Sequence, residues 1–263
     1  MENRLRTRPL AIAHRGNSHN APGNTRVSFL QAMDLGVDLI EFDVNQTKDG
    51  HPVVFHGPEL NKTCGIEGSI RDLSLSEVRR LDVGSWKGKE FEGEGIITLS
   101  EMMDLAASNV NLAVDLKTDE ILPEITSCIE NAGMVDHVVI CGCRVSRAKR
   151  VRKCNSRLSV GLNMDEEMAS LAKMENPARF YSEYLRQATS IHLSPLNMNF
   201  RYITPELVRM AHLRAIQVWA WTVDEPEEMR RLIRFGVDAI YTNNPKLLLA
   251  TLDEQDKTDT AVN

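Results

Sequence analysis

Short apolar runs alternate with helix-period segments along almost the whole chain. The runs are LAIAH, DLIEFDV, PVVFH, NLAVDL, HVVICG, LSVGLN, TSIHLS, AIQVWAWTV and DAIYT, and each is read as a strand leading into a helix. A chain of this kind builds parallel βα units, because a strand buried on both faces needs the returning helix to cover it. Helix starts punctuate the pattern. Thr98 with Glu101 and Ser74 with Glu77 stand at capping-box spacing, and Thr204-Pro205-Glu206 reads as an N-cap followed by proline at the first helical position.

One internal repeat chooses among α/β architectures. Gly36-Val37-Asp38-Leu39-Ile40-Glu41-Phe42-Asp43 returns in outline as Gly236-Val237-Asp238-Ala239-Ile240-Tyr241-Thr242-Asn243. In both, a helix closes on a glycine able to adopt the left-handed conformation, and a buried strand follows at once. Eight such units need roughly 250 residues, and the chain has 263. The pattern therefore predicts an α/β fold, a single (β/α)8 TIM barrel forming one domain over residues 1–263; an open doubly wound sheet leaves the repeat unexplained. Two stretches fit no βα unit. Residues from about 57 to 97, which carry KGKEFEGEG, are read as an insertion after the second strand, beside the barrel mouth. The polar stretch 253–263 is expected to fray.

Composition narrows the partners. Hydrophobic residues make up 42% and charged residues 26%, enough for a large core under a soluble surface. The balance of 31 basic and 37 acidic residues gives a net charge of -6 without a long basic run, so no nucleic-acid partner is expected. After the basic opening MENRLRTRPL, the apolar stretch extends only from Leu10 to Ala13, too short for a signal peptide, and no later run reaches the length of a membrane span. A cytoplasmic protein with no integral membrane segment is the expectation; the oligomeric state, a homo-oligomer included, stays open. The five cysteines are read as reduced thiols. Cys141 and Cys143 have no matching His or Cys pair at zinc-site spacing and are read as buried and structural.

The candidate chemistry starts at Glu41 and Asp43. Two apart on a strand, they project to the same side while Ile40 and Phe42 face the other way. A salt-bridged strand end accounts for one such pair. Here Asp115 and Lys117 repeat the geometry at another strand end, and in a barrel the two strands are neighbours. Three converging carboxylates at ~4 Å cost about 4 kcal/mol per like-charged pair at an effective dielectric near ~20. Lys117 and Arg15 offset part of this, and an all-oxygen set is what Mg²⁺ or Ca²⁺ prefers. His14 and His56 end apolar runs on either side of this comb. Singly, each reads as a structural histidine; together they suit a phosphodiester, which needs one group to take a proton and another to give one. Arg15 offers a planar fork for phosphate oxygens. Among the remaining histidines only His192, late in a strand-like run, is a further pocket candidate. Trp219 reads as core filler. Asn243, at the end of the last strand, is expected to face the pocket, and Asp224, with Glu227 three positions later, reads as a helix N-cap.

The motifs HRG at His14–Gly16, Pro22-x-Asn24-Thr25, GVDLIEFDV at Gly36–Val44, TKDGHPVVFH at Thr47–His56, DLK at Asp115–Lys117, WTVDEP from Trp221 and GVDAIYTNNP from Gly236 resemble the glycerophosphodiester phosphodiesterase family. The resemblance spans about residues 10 to 247. It implies a barrel with an inserted subdomain, a divalent cation on Glu41, Asp43 and Asp115, and His14 and His56 as acid and base. It also implies Arg15 and Lys117 as phosphate holders, substrate contact at Trp221, and a small glycerophosphodiester from lipid metabolism or a related sugar phosphodiester such as an opine as substrate. The chain departs from the family at Gly23, Gly57, Asp115 and Asn243. His-Gly, Asp-Leu-Lys, Trp-Thr-Val-Asp and Thr-Asn are also similar to sphingomyelinase D-type phospholipases, which leave a cyclic phosphate; that resemblance implies a pocket position for Asp224, set evenly against its N-cap reading. A third alternative is a non-catalytic barrel that binds phosphodiesters.

Overall fold

The computed structural model describes residues 8–107, 109–173 and 177–262. The basic opening residues 1–7 lie outside these. Among the described residues ten strands follow one another: β1 (Leu10–His14), β2 (Leu39–Gln46), β3 (Pro52–Val54), β4 (Asn111–Leu116), β5 (Val138–Cys141), β6 (Ser159–Val160), β7 (Leu162–Asn163), β8 (Leu196–Asn199), β9 (Val218–Trp221) and β10 (Ala239–Thr242). Nine of them pair in the order β6-β5-β4-β2-β1-β10-β9-β8-β7, and every pairing in that path is parallel. The two ends of the path, β6 and β7, are separated by Gly161 alone. Its N–H reaches Ile140 O on one side while Leu162 N–H reaches Pro195 O on the other, so the ring closes through this glycine. A Cβ at Gly161 would stand 3.1 Å from Pro195 O, so the bare backbone keeps the strands close.

Residue parity along the strands sorts the core into two layers. On β2, Ile40, Phe42 and Val44 join the large cluster between barrel and helices, together with Phe29, Leu112 and Val114. Phe42 meets Phe29 edge-on at 5.9 Å between ring centroids. Complete burial of such a ring contributes roughly 1.5–3 kcal/mol. Leu39 turns inward with Ile12, Ala113, Cys141, Trp219, Ala239 and Tyr241 to plug the barrel. Because the side-chain period of a strand is two, Glu41, Asp43 and Asn45 continue on that inner side towards the C-terminal rim. The strand run that packs the barrel thus also aims the acidic comb at its mouth.

The capping-box signals hold: Thr98 and Glu101 bond reciprocally at one helix start, Ser74 and Glu77 at another, and Thr204 Oγ1 accepts from Leu207 N–H at a third. Three expected strands differ. PVVFH yields only β3, which runs antiparallel to β2 off the ring and stops two residues short of His56. LSVGLN is broken at Gly161 into β6 and β7. TSIHLS is not a strand at all, since Thr189 and Ser190 finish the helix Pro177–Ser190 and His192 turns the chain at φ 54. That helix is secured by Phe180, Tyr181, Tyr184, Leu185 and Ala188, buried at helical spacing. The strand at this point is β8, Leu-Asn-Met-Asn, whose two asparagines disguise it in the sequence. His192 is exposed, and its carbonyl accepts from Arg152; it is not among the residues around the cavity described below.

Between β3 and the helix Leu99–Ala106, residues 55–98 form only short helical turns. They pack around a separate cluster of Phe55, Leu60, Ile70, Val78, Val83 and Ile96 with Val53 of β3. The last helix runs Pro245–Val262. All five cysteines are free, with Cys141 and Cys143 buried. Among the described residues, no helix is long and apolar enough to cross a membrane.

Candidate active site

β2 lies between β1 and β4, with His14 opposite Glu41 and Asp43 opposite Asp115 in the strand register. This register gathers three carboxylates from two strands. One oxygen from each of Glu41, Asp43 and Asp115 lies within 4.8 Å of the others. Glu41 and Asp43 are almost fully buried, at 3% and 1% exposure. Behind Asp115 stands Gly142 at φ 70; a Cβ there would come within 2.2 Å of Asp115 Oδ1, so glycine is what lets the chain pass.

Two cations hold the cluster together. Arg15 Nε lies 3.0 Å from Asp43 Oδ2, and Lys117 Nζ lies 3.0 Å from Asp43 Oδ1 and 3.1 Å from Asp115 Oδ2. Asn24 donates from Nδ2 to Asp43 Oδ2 at 2.8 Å and accepts the Asp43 main-chain N–H, and Arg15 N–H donates to Glu41 Oε2. Burial penalises the Asp43 carboxylate, yet Lys117 and Arg15 outweigh it and hold the group below its ordinary value. Glu41 is pushed well above the carboxylate range by burial, then by Asp43 and Asp115. Asp115 is raised by burial despite Lys117. Burial opposes the charge on Lys117, but Asp115 and Asp43 raise it further. Three carboxyls thus face two cations, burial works against ionisation of Glu41 and Asp115, and Asp115 Oδ1 is buried without a hydrogen-bond partner. Three hard oxygen donors, one unpartnered, fit a divalent cation.

His14 stands over Glu41, with Nε2 3.8 Å from Glu41 Oε2 and Nδ1 2.7 Å from Asn243 Oδ1. Burial and then Arg15 lower it to about 4, against the opposing hydrogen bond from Asn243. His56 follows β3 in a bend and is lowered as well, first by burial, with Asp43 pulling the other way.

A cavity of about 830 Å³ opens beside these groups, bordered by Arg15, Asn45, His56, Lys117, Trp86 and Asn243 among others. Arg15 and Lys117 touch both the cavity and Asp43, so the acidic trio lies directly behind them. Trp221 stands apart from the cavity border. It packs against both apolar layers with its indole N–H buried and unpartnered. Trp219 fills the barrel against Tyr241, ring centroids 6.0 Å apart. Asp224 does not cap the helix Pro226–Phe235, where Glu225 is the N-cap residue; its carboxylate binds Thr242 and Asn243 instead.

Sequence reasoning missed three side chains here. Asn24 braces Asp43 from the loop, held at φ 62, which asparagine tolerates. Ser18 reaches the His14 carbonyl and Asn243. Asn45, the third inward residue of β2, is foreseeable from the same two-residue spacing that singled out Glu41 and Asp43. Its Oδ1 accepts from Arg71 Nε, and its buried Nδ2 has no partner.

Comparison with known proteins shows the family. The model of the glycerophosphoryl diester phosphodiesterase family matches residues 14–247. A glycerophosphodiester phosphodiesterase of Caldanaerobacter subterraneus subsp. tengcongensis is 34% identical over 246 residues, covering 91% of this chain and 96% of that one. A crystal structure from Silicibacter pomeroyi superposes with a TM-score of 0.84 at 26% identity, covering 95% of this chain and 94% of the other. The Oleispira antarctica phosphodiesterase, in complex with its product sn-glycerol-3-phosphate, shares the fold at a TM-score of 0.78 and 24% identity, covering 94% of this chain and 97% of that one. Through a family match that runs from the first histidine of the site to the end of the barrel, the chain belongs to the glycerophosphoryl diester phosphodiesterase family and is a phosphoric diester hydrolase.

Proposed function

We propose that this chain hydrolyses a small glycerophosphodiester, with Glu41, Asp43 and Asp115 holding a divalent cation and His14 and His56 moving the protons. The observation that carries this reading is the convergence of three carboxylate oxygens within 4.8 Å, with His14 at their edge and His56 on the adjoining cavity. A bound Mg²⁺ or Ca²⁺ supplies Lewis-acid stabilisation of the nonbridging phosphate oxygens. The rest is done by this chain's own groups. Arg15 and Lys117, at the cavity border, bind the phosphate oxygens and offset the charge that grows as the bond to phosphorus forms. His14, neutral at physiological pH, accepts the proton of the attacking water at Nε2. His56, on the cavity side of the site, enters as the imidazolium that Asp43 favours and gives that proton to the departing alkoxide, a group too basic to leave unassisted. Asn243 orients His14.

In this reading the chain works as one domain, with the 57–97 stretch roofing the cavity through Trp86 and Lys62. It is a cytoplasmic enzyme of lipid-derived diesters. The decisive experiment measures cleavage of glycerophosphocholine by phosphorus NMR with Mg²⁺ or Ca²⁺, then with excess chelator. Cation-dependent formation of glycerol 3-phosphate supports the reading. A cyclic phosphate product would transfer the chain to the transphosphorylating alternative, and binding without turnover would reduce it to a phosphodiester-binding barrel.

A further inference from the structure

The hydrogen bonds around Asn243 fix more than its position. Asn243 Nδ2 donates to Asp224 Oδ2 at 2.7 Å, its main-chain N–H donates to Asp224 Oδ1 at 2.8 Å, and Thr242 Oγ1 donates to the same oxygen at 3.0 Å. Asp224 already takes two donors on Oδ1 and presents Oδ2 as a further acceptor, so the atom that Asn243 turns towards it is its amide nitrogen. The atom left facing His14 is then the amide oxygen, 2.7 Å from Nδ1. An amide oxygen only accepts. His14 therefore carries its proton on Nδ1 and presents a bare Nε2 on the side of Glu41.

The other neighbour of that amide does not decide its orientation. Ser18 Oγ lies 2.8 Å from the His14 carbonyl and 2.9 Å from Asn243 Oδ1. A hydroxyl can donate to the carbonyl while accepting from an amide nitrogen, so Ser18 is compatible with either orientation of Asn243. Asp224, distant in sequence from His14 and absent from the cavity border, is the group that selects one.

We propose that Asp224 is a positioning residue that sets the tautomer of His14 through the amide of Asn243. The proposal deepens the hydrolytic reading above, in which Nε2 of His14 takes the proton, but the tautomer can be read without substrate. A substitution follows from the geometry. In Asp224→Asn the main-chain N–H of Asn243 still requires an acceptor, which pins the new amide oxygen at the Oδ1 position. The new amide nitrogen then faces Asn243, whose side chain has to turn over to offer its oxygen. His14 would meet an N–H donor at Nδ1, and its proton would move to Nε2. Adding Asn243→Asp restores an acceptor: the new carboxylate takes a bond from the amide at 224 and another from His14 Nδ1–H.

Nitrogen NMR of chain carrying ring-labelled histidine, with the His14 signals assigned by their loss in His14→Gln, tests this directly. The wild type should show a protonated Nδ1 and a lone pair on Nε2. D224N should show the reverse pattern, and D224N/N243D should return to the first. In turnover, D224N should lose about a hundredfold in kcat with KM within about threefold, and the double variant should recover most of the loss, a split that general weakening of the fold would not give. A wild-type His14 protonated on Nε2, an unchanged tautomer in D224N, or an unchanged kcat overturns the proposal. Failure of the chain to hydrolyse any glycerophosphodiester would remove the functional reading while the NMR result decided the tautomer by itself.

Discussion

Asp43 and Asp115 stand opposite each other on neighbouring parallel strands, and Lys117 spans them, its Nζ 3.0 Å from one and 3.1 Å from the other. The lysine belongs to the same two-residue pattern as Asp115, so a single strand end supplies both an anion and its partial neutralisation. Among the described residues no lysine or arginine side chain is paired with Glu41, which accepts the Arg15 main-chain N–H instead, and its carboxyl is the one driven well above the ordinary range.

Glu41→Gln should therefore stabilise the ion-free protein. A neutral amide does away with a group whose ionisation burial, Asp43 and Asp115 all oppose, and a gain of about 1 kcal/mol corresponds to roughly 2–4 °C in Tm for a chain of this size. The same variant should show a smaller rise in Tm on adding Mg²⁺ or Ca²⁺ than the wild type. Thermal melts with and without cation measure both, and an ion-free variant less stable than the wild type would contradict the electrostatic account.

The pH profile follows from His14. Burial and Arg15 disfavour the imidazolium and lower the group from its ordinary 6.5 to about 4, so the neutral base persists well into acid. If His14 accepts the proton, loss of kcat/KM on the acid side sets in below pH 6.5, because protonation of the free enzyme's base is what ends activity. An acid limb at 6.5 or higher would show that the imidazole is not held neutral.

Replacing either histidine removes one half of the proton transfer. His14→Ala and His56→Ala should each reduce kcat by at least about a hundredfold, with the fold intact by circular dichroism. Near-normal turnover in one of them would remove that histidine from the mechanism.

Gly142→Ala strikes the acidic trio from behind. The added Cβ would fall 2.2 Å from Asp115 Oδ1 and 2.8 Å from the Leu116 main chain, at a backbone φ of 70 that alanine resists. A cost of about 2 kcal/mol or more is expected, on the scale of strained backbone positions, together with weaker cation binding by calorimetry. Wild-type stability and cation affinity would mean that the backbone has room to move there.

The parts legible in the sequence are those governed by local periodicity. Alternation along β2 separated Ile40 and Phe42 from Glu41 and Asp43, and the same rule placed Asp115 with Lys117. It failed where composition contradicts topology. The run TSIHLS looks strand-like because it alternates, but the helix ending at Ser190 is already committed by its buried aromatic face, whereas β8 carries asparagines at inward positions that a strand reading discounts.

By itself, the sequence determined the βα rhythm, the barrel, and the acidic side chains that share one face of a strand, because a two-residue or 3.6-residue period is fixed by backbone geometry within a few neighbours. Only the tertiary structure decided that Asn243 meets His14 across 229 positions of chain, that Asn24 braces Asp43, and that Trp221 packs on the core layers instead of bordering the cavity. Those relationships depend on which loops the closed ring of strands brings to one rim, and no local period encodes that meeting.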